Sequence, residues 1–363
     1  MASIKEVARA AGVSISTVSH VLNDTKYVSD ELRDKVMSAA RSLDYEANIV
    51  ARNMKSGFSQ SIGIITSDIC GVFYPYVVKE VCLIARERDF NVAIFDVNSS
   101  YDHSNSQKKE KECFKRLIAS LTDGIIFVSS VKEEEVGSFL DDIRAMSFKK
   151  KEVPLVSLER DFSRFGIDSV YVDNISGAET AVNHLLECGC SRIGHITGPI
   201  EMQIVQDRIR GYLNAMEKTN LKVDAETMIA GGNYSHQSGY VAMERLMEKN
   251  GDLDGVFVAN DQMAIGAMKY LKEREIGIPE KIKIIGYDDV FVSSVVEPQL
   301  STIHVRKHYM GKRAAEILFQ RIGGLKKKKP LANETVKEKL ETRLVVRKST
   351  VPERASDWTL SEW

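Results

Sequence analysis

Ser3-Ile-Lys-Glu-Val-Ala-Arg-Ala-Ala-Gly-Val-Ser-Ile-Ser-Thr-Val-Ser-His-Val-Leu-Asn23 opens the chain and decides how its first part folds. Apolar residues at 4, 7, 8 and 11 have helical spacing. Ser3 followed by Glu6 is a capping-box pattern. Gly12 supplies the left-handed backbone of a tight turn. Ser14 then caps a second helix, Ile15 to Leu22, with Val18, Val21 and Leu22 turned inward. Ala8 is small where two helices must cross. Ser29 is expected to cap a third helix with Leu32, Val36, Ala39, Ala40 and Leu43 on one face. Three short helices around a small core make a helix-turn-helix DNA reader.

In that geometry the start of the second helix enters the major groove. Ile15, Ser16 and His20 then point at base edges. Ser16 and His20 exchange hydrogen bonds there, and Ile15 offers apolar contact to a thymine methyl. Thr17, Ser19 and Asn23 serve phosphates, which position the reader without specifying sequence. The charge of this region argues mildly the other way. Residues 1–57 hold eight basic against seven acidic side chains, so the acids must lie on the far face.

The opening stretch resembles the N-terminal signature of the LacI/GalR family of bacterial transcription regulators. The resemblance implies that Ile15, Ser16 and His20 read an operator, that Lys26 approaches the DNA, and that Tyr45 contacts a phosphate. It also gives meaning to Asn48-Ile-Val-Ala-Arg-Asn-Met-Lys55, which has good helix formers but only about two turns. Such a segment is expected to be disordered alone and helical when two copies pack over the duplex. The family places a leucine wedge where this chain has Met54, beside Lys55. Methionine is apolar but more pliable. The family's usual proline is replaced by Ala47, which leaves the start of the hinge helix less defined.

Beyond Gln60 the pattern changes. Short apolar runs read as strands at Ser61–Thr66, Val92–Phe95, Gly124–Val128, Leu155–Ser157, Ile193–Ile196, Gly255–Val258 and Lys283–Gly286. Helical stretches lie between them, among them Ile175–Cys188, Ser235–Lys249 and Asp261–Arg274. Apolar strands alternating with helices give parallel sheets covered on both faces, an α/β body. Two groups of strands imply two lobes with a cleft beyond the strands' carboxyl ends.

This body resembles the periplasmic-binding-protein-like core of the same family, through Asp173-Asn174, Gly198-Pro199, Val258-Ala-Asn-Asp-Gln-Met263 and Ile285-Gly-Tyr-Asp-Asp289. The resemblance implies three crossings between lobes and a small-molecule effector held by Phe73, Tyr74, Arg208, Tyr234, Asn260 and Asp288. Forked arginine donors, a carboxylate, an amide and aromatic faces suit a sugar or sugar derivative. A nucleobase, or a phosphorylated partner protein docking on the first lobe, stays open. Two residues have a duller reading: Arg208 pairing with an acid on its own helix, and Asn260 capping the helix that begins at Asp261. His184 and His195 lie in core-like patterns and read as structural.

The expected organisation is a reader over 1–47, a hinge helix and linker over 48–60, and an effector-binding and dimerisation core over 61–348. Its first lobe takes about 61–162 and 291–325 and its second about 163–290 and 326–348, before a flexible tail over 349–363. The run Lys326–Lys329 reads as a solvated loop, and the tail shows no leucine heptad.

Composition narrows the function classes. A net charge of −1 rules out a polycation. The five cysteines include no zinc-type C-x-x-C pair and suit a reducing cytoplasm. No metal or cofactor is expected, no apolar run approaches a membrane span, and no leader peptide is seen. G-x-S-x-G, P-loop, G-x-G-x-x-G and H-E-x-x-H motifs are missing, so an enzyme is not expected. The composite expectation is a cytoplasmic, homodimeric repressor binding double-stranded DNA at a palindromic operator under control of a small ligand.

Overall fold

The computed structural model describes residues 2–23, 26–45, 58–97, 105–146, 152–219, 224–327 and 334–353. They fall into two compact units, one up to Ser59 and one from Gln60 onward. The hinge segment Asn48–Lys55, with Met54 and Lys55, lies outside the described residues, as does 354–363.

The first unit holds helices α1 (Ile4–Ala11), α2 (Ile15–Asn23) and α3 (Asp30–Ser42). The capping box at Ser3 is complete: Ser3 Oγ accepts from the Glu6 amide, and Ser3 N–H donates to Glu6 Oε2 at 2.7 Å. Gly12 closes α1 with φ 66°, a conformation a side chain would strain. Ser14 Oγ accepts from Thr17 N–H at 3.1 Å and so caps α2. Val7, Ala8, Val18, Val21, Val36, Ala39 and Ala40 form the buried core. Two expectations fail. Ser29 precedes α3 but its side chain makes no capping bond. Leu43 is 36% exposed, because the helix ends at Ser42 and the chain turns away before it can pack.

The second unit carries two six-stranded sheets among the described residues. The first has the order β11-β5-β4-β3-β1-β2: β1 Ser61–Thr66, β2 Asn91–Asp96, β3 Ile125–Phe127, β4 Leu155–Glu159, β5 Asp168–Val172 and β11 Lys337–Leu340. Every pairing in it is parallel. The second has the order β12-β10-β9-β8-β6-β7: β6 Ile193–Thr197, β7 Ile229–Gly231, β8 Gly255–Val258, β9 Lys283–Asp288, β10 Ser301–His304 and β12 Arg343–Val345. Only β12 runs antiparallel there.

Helices cover both faces of each sheet. The first lobe uses α4 (Tyr74–Arg86), α5 (Ser106–Ala119), α6 (Val136–Ala145) and α13 (Lys307–Lys326). The second uses α7 (Asn174–Glu187), α8 (Gln203–Glu217), α9 (Ala225–Met228), α10 (His236–Lys249), α11 (Asp261–Glu273) and the short α12 (Phe291–Val295). Strand β1 shows why the apolar runs were continuous. Ile62 and Ile64 enter one hydrophobic core and Ile65 another, so neither face meets water. Helices α10 and α11 approach so closely that a Cβ on Gly266 would lie 1.8 Å from the His236 carbonyl oxygen.

The chain passes between sheets three times: after β5, after β10, and between β11 and β12. This corrects the expected lobe division. β5 belongs to the first sheet although it follows residue 162, β10 joins the second although it lies within 291–325, and β11 returns to the first. The reason is local polarity. Asp168 opens β5 and accepts two bonds from Arg321 at 2.7 Å and one from Val336 N–H at 2.8 Å. In β10, Thr302 Oγ1 donates to Asp261 at 2.6 Å. Strand polarity satisfied by distant partners leaves no apolar run to read.

The expected tail is also corrected at its start. Ser349 and Thr350 are buried: Ser349 Oγ donates to the Ile284 carbonyl at 2.6 Å, and Thr350 Oγ1 pairs with Ser301 Oγ at 2.6 Å. They close the second sheet. Lys326 ends α13 rather than lying in a loop.

Candidate functional site

On the reader, α2 begins at Ile15, which is 45% exposed. Leaving that much isoleucine in water is unfavourable unless another surface covers it. Ser16 stands exposed beside it, its hydroxyl 2.7 Å from Ser14 Oγ. Thr17 Oγ1 lies 2.9 Å from the same oxygen. Ser19 and His20 are half-buried one turn on, and Lys26 is exposed. Tyr45 packs partly against the helical core. Ile15 and Ser16 therefore form one accessible edge. Tyr27, 90% exposed next to Lys26, had not been singled out from the sequence.

The second unit contains a cleft of about 600 Å³ between its two sheets. All six expected effector residues line it: Phe73, Tyr74, Arg208, Tyr234, Asn260 and Asp288. Phe73 and Tyr74 come from the start of α4, following β1. Asp288 ends β9, and Asn260 follows β8 at the start of α11. The cleft thus lies beyond the carboxyl ends of strands from both sheets.

Arg208 is its centre and is 5% exposed. Its Nε donates to Asn174 Oδ1 at 2.9 Å, an Nη donates to the Ala259 carbonyl, and its guanidinium lies 3.8 Å from the centre of the Tyr287 ring. Its other Nη stands 3.9 Å from Asp288 Oδ1. No acid on its own helix pairs with it among the described residues. The arginine is held rigid with one donor edge toward the cleft, which lowers the ordering cost of binding.

Burial pushes the Asp288 carboxyl up to about 8, with Arg208 opposing the shift. At neutral pH this acid is mostly protonated and can donate as well as accept. Glu159 is also raised by burial, and accepts a 2.5 Å bond from Tyr74 Oη. The Tyr234 hydroxyl is buried without a hydrogen-bond partner among the described residues. An unsatisfied buried hydroxyl costs about 1–3 kcal/mol. Asn260 plays the duller part as well: its Oδ1 caps α11 by accepting from Met263 N–H at 2.9 Å. Its Nδ2 donates to the Tyr234 carbonyl at 3.2 Å.

Backbone strain gathers here. Glu159, Tyr234 and Asp288 have φ of 64°, 70° and 101°, in the region side chains disfavour. Held conformations of this kind cost about 1–3 kcal/mol each and cluster at binding sites. Glu159 is the main residue the sequence reading missed. It ends β4, so the expectation that ligands sit beyond the strands' carboxyl ends would have pointed to it had the strand been carried past Ser157. Ser67, Asp68, Met202, Ile204 and Gln262 complete much of the remaining wall.

His195 and His184 lie away from the cleft. His195 Nδ1 is 2.9 Å from the Phe257 carbonyl and its ring stacks on Phe257 at 4.5 Å. Burial lowers its pKa to about 4, which keeps it neutral. His184 Nε2 is 2.8 Å from Thr350 Oγ1. Among the described residues no cluster of three His, Cys, Asp or Glu side chains could hold a metal ion, and no helix is long and apolar enough to cross a membrane.

Comparison with known proteins adds to this geometry. Residues 3–48 match the model of bacterial regulatory proteins of the lacI family, and residues 182–350 match that of a periplasmic binding protein-like domain. The HTH-type transcriptional repressor PurR of Vibrio atlanticus is 31% identical over 89% of this chain and 92% of its own. The HTH-type transcriptional regulator RegA of Clostridium saccharobutylicum is 32% identical over 96% and 99%. The regulator GalS of Salmonella typhimurium is 33% identical over 89% and 91%. Among solved structures, the lac repressor dimer bound to operator and the anti-inducer ONPF aligns with a TM-score of 0.82 at 26% identity, covering 96% of this chain and 99% of that one. A complex of the transcriptional regulator CelR with cellobiose aligns with a TM-score of 0.67 at 28% identity, covering 96% and 100%.

Proposed function

The chain belongs to the LacI family of bacterial regulatory proteins, and from that premise we propose that a sugar or sugar derivative in the cleft of its second unit controls its grip on an operator. It is a DNA-binding transcription regulator and not an enzyme. Two copies act together in the cytoplasm, each presenting Ile15, Ser16 and His20 to one half of a near-palindrome. Thr17, Ser19, Asn23 and Tyr45 hold the phosphates, and Lys26 approaches the DNA. Met54 and Lys55 meet the minor groove between the half-sites, where an apolar wedge opens the base stack. The protein acts as a repressor.

One observation carries the effector reading. Arg208, Asp288, Asn260 and Tyr234 from one lobe and Phe73, Tyr74 and Glu159 from the other face a single cleft. A ring bearing several hydroxyls uses each group: forked donors, a carboxyl able to give and take, an orphaned phenol, and aromatic faces. A ligand that touches both lobes favours one relative placement of them. Its effect on DNA affinity equals the effect of DNA on its own affinity, typically about 1–3 kcal/mol.

The test is calorimetric titration with a panel of mono- and disaccharides and nucleobases, paired with a mobility shift on operator-bearing DNA. A sugar should bind and change the shift. Arg208→Ala should abolish that response while leaving DNA retarded without ligand. Binding by nucleobases alone, or an unchanged dose-response curve in Arg208→Ala, would refute the reading.

A further inference from the structure

We infer that the second unit carries a separate site for a phosphoryl group, the acidic part of a small phosphorylated molecule. A cavity of about 620 Å³ opens where β10 leads into α13, bounded by Glu80 of α4, His304 of β10, and residues between Arg306 and Lys312. It shares no lining residue with the effector cleft.

The walls are unevenly charged. Arg306, Lys307 and Lys312 face one carboxylate, Glu80. Glu80 is already engaged, since its Oε1 lies 3.0 Å from His308 Nδ1. That contact places the Nδ1 proton toward the acid. The opposite ring nitrogen, His308 Nε2, is buried and has no hydrogen-bond partner among the described residues.

Arg306 and Lys312 are exposed and in no ion pair among the described residues. Arg306 lies over the Tyr309 ring, 4.3 Å from its centre, which fixes the guanidinium plane and leaves its edge open. A planar fork, an ammonium and an imidazole around one concavity suit three oxygens on one phosphorus better than a single carboxylate.

The site is wired to the effector cleft from two directions. Lys307, 2% exposed, donates from Nζ to the backbone carbonyls of Asp288 at 3.1 Å and Asp289 at 2.7 Å. Asp288 lines the cleft. Helix α4, which supplies Glu80, begins at Tyr74, another cleft residue. Occupancy of one site therefore biases the other, with reciprocal sign. The inference does not depend on which sugar the cleft accepts.

Inorganic phosphate is the probe, titrated by calorimetry into the full chain against chloride at matched ionic strength. Saturable binding is expected. Arg306→Glu with Lys312→Glu, both at exposed positions, should weaken it at least tenfold, and His308→Gln should weaken it too. The same reversal at exposed Arg245 and Lys249 on α10 should leave it intact. Circular dichroism confirms that each variant is folded. Phosphate that never saturates beyond chloride, or equal weakening by both double reversals, would overturn the site.

Discussion

Replacing Asp288 with asparagine removes a titration while nearly preserving a side chain's shape. The Asp288 carboxyl, 8% exposed, is pushed by burial from the ordinary 3.8 up to about 8. The folded chain then keeps a proton that the unfolded chain releases near pH 4. Stability from this group is fully present below pH 4, falls as pH rises, and is lost once pH passes about 8. Each pH unit in that window lowers stability by about 1.4 kcal/mol. From pH 6 to pH 8 the native chain should therefore lose roughly 2–3 kcal/mol relative to Asp288→Asn. Asp261, raised to about 6, titrates in both chains and drops out of the difference to first order.

The assay is urea unfolding followed by circular dichroism, for both chains at pH 6, 7 and 8. The stability difference should tilt toward the variant as pH rises. A difference that stays flat would mean that Asp288 is ionised throughout, with Arg208 at 3.9 Å as a true ion-pair partner. The account of a protonated acid in the cleft would then be wrong.

Two more outcomes are specific enough to measure. His20→Ala should reduce the ratio of operator to scrambled-DNA affinity in a mobility shift; equal loss on both DNAs would remove it from base reading. Gly266→Ala forces a methyl to 1.8 Å from the His236 carbonyl, so α10 and α11 must separate. A loss of about 1–3 kcal/mol is expected in chemical denaturation, and an unmoved midpoint would mean the helices part freely.

The reader and the central strands were legible because their physics is local. Ser3, Glu6 and Gly12 each act within a few residues, and a strand buried on both faces must be apolar along its length. The lobe division was not legible. β5 and β10 carry Asp168, Ser301 and Thr302, whose partners Arg321, Ser349 and Asp261 lie far away in sequence. Nothing near those residues announces such partners. The six cleft residues came from family resemblance, and strand-end logic alone would have added Glu159. Ser29 shows the limit of propensity: the residue type suits the position, yet its hydroxyl makes no capping bond. The second cavity was invisible because Glu80 and His308 meet only in the folded chain.

The return of β11 to the first sheet has a consequence for how a ribosome must deliver this protein. β5 finds its outer neighbour only after the whole stretch 173–336, which includes strands β6 to β10 of the second sheet, has been made. At bacterial-type synthesis speeds of ~5–20 residues per second, that is roughly ten to thirty seconds. Throughout that interval β5 presents an open hydrogen-bonding edge, the kind of surface on which nascent chains stick to one another. Newborn copies should therefore depend on chaperones until Leu340 has left the exit tunnel, however stable the finished fold is.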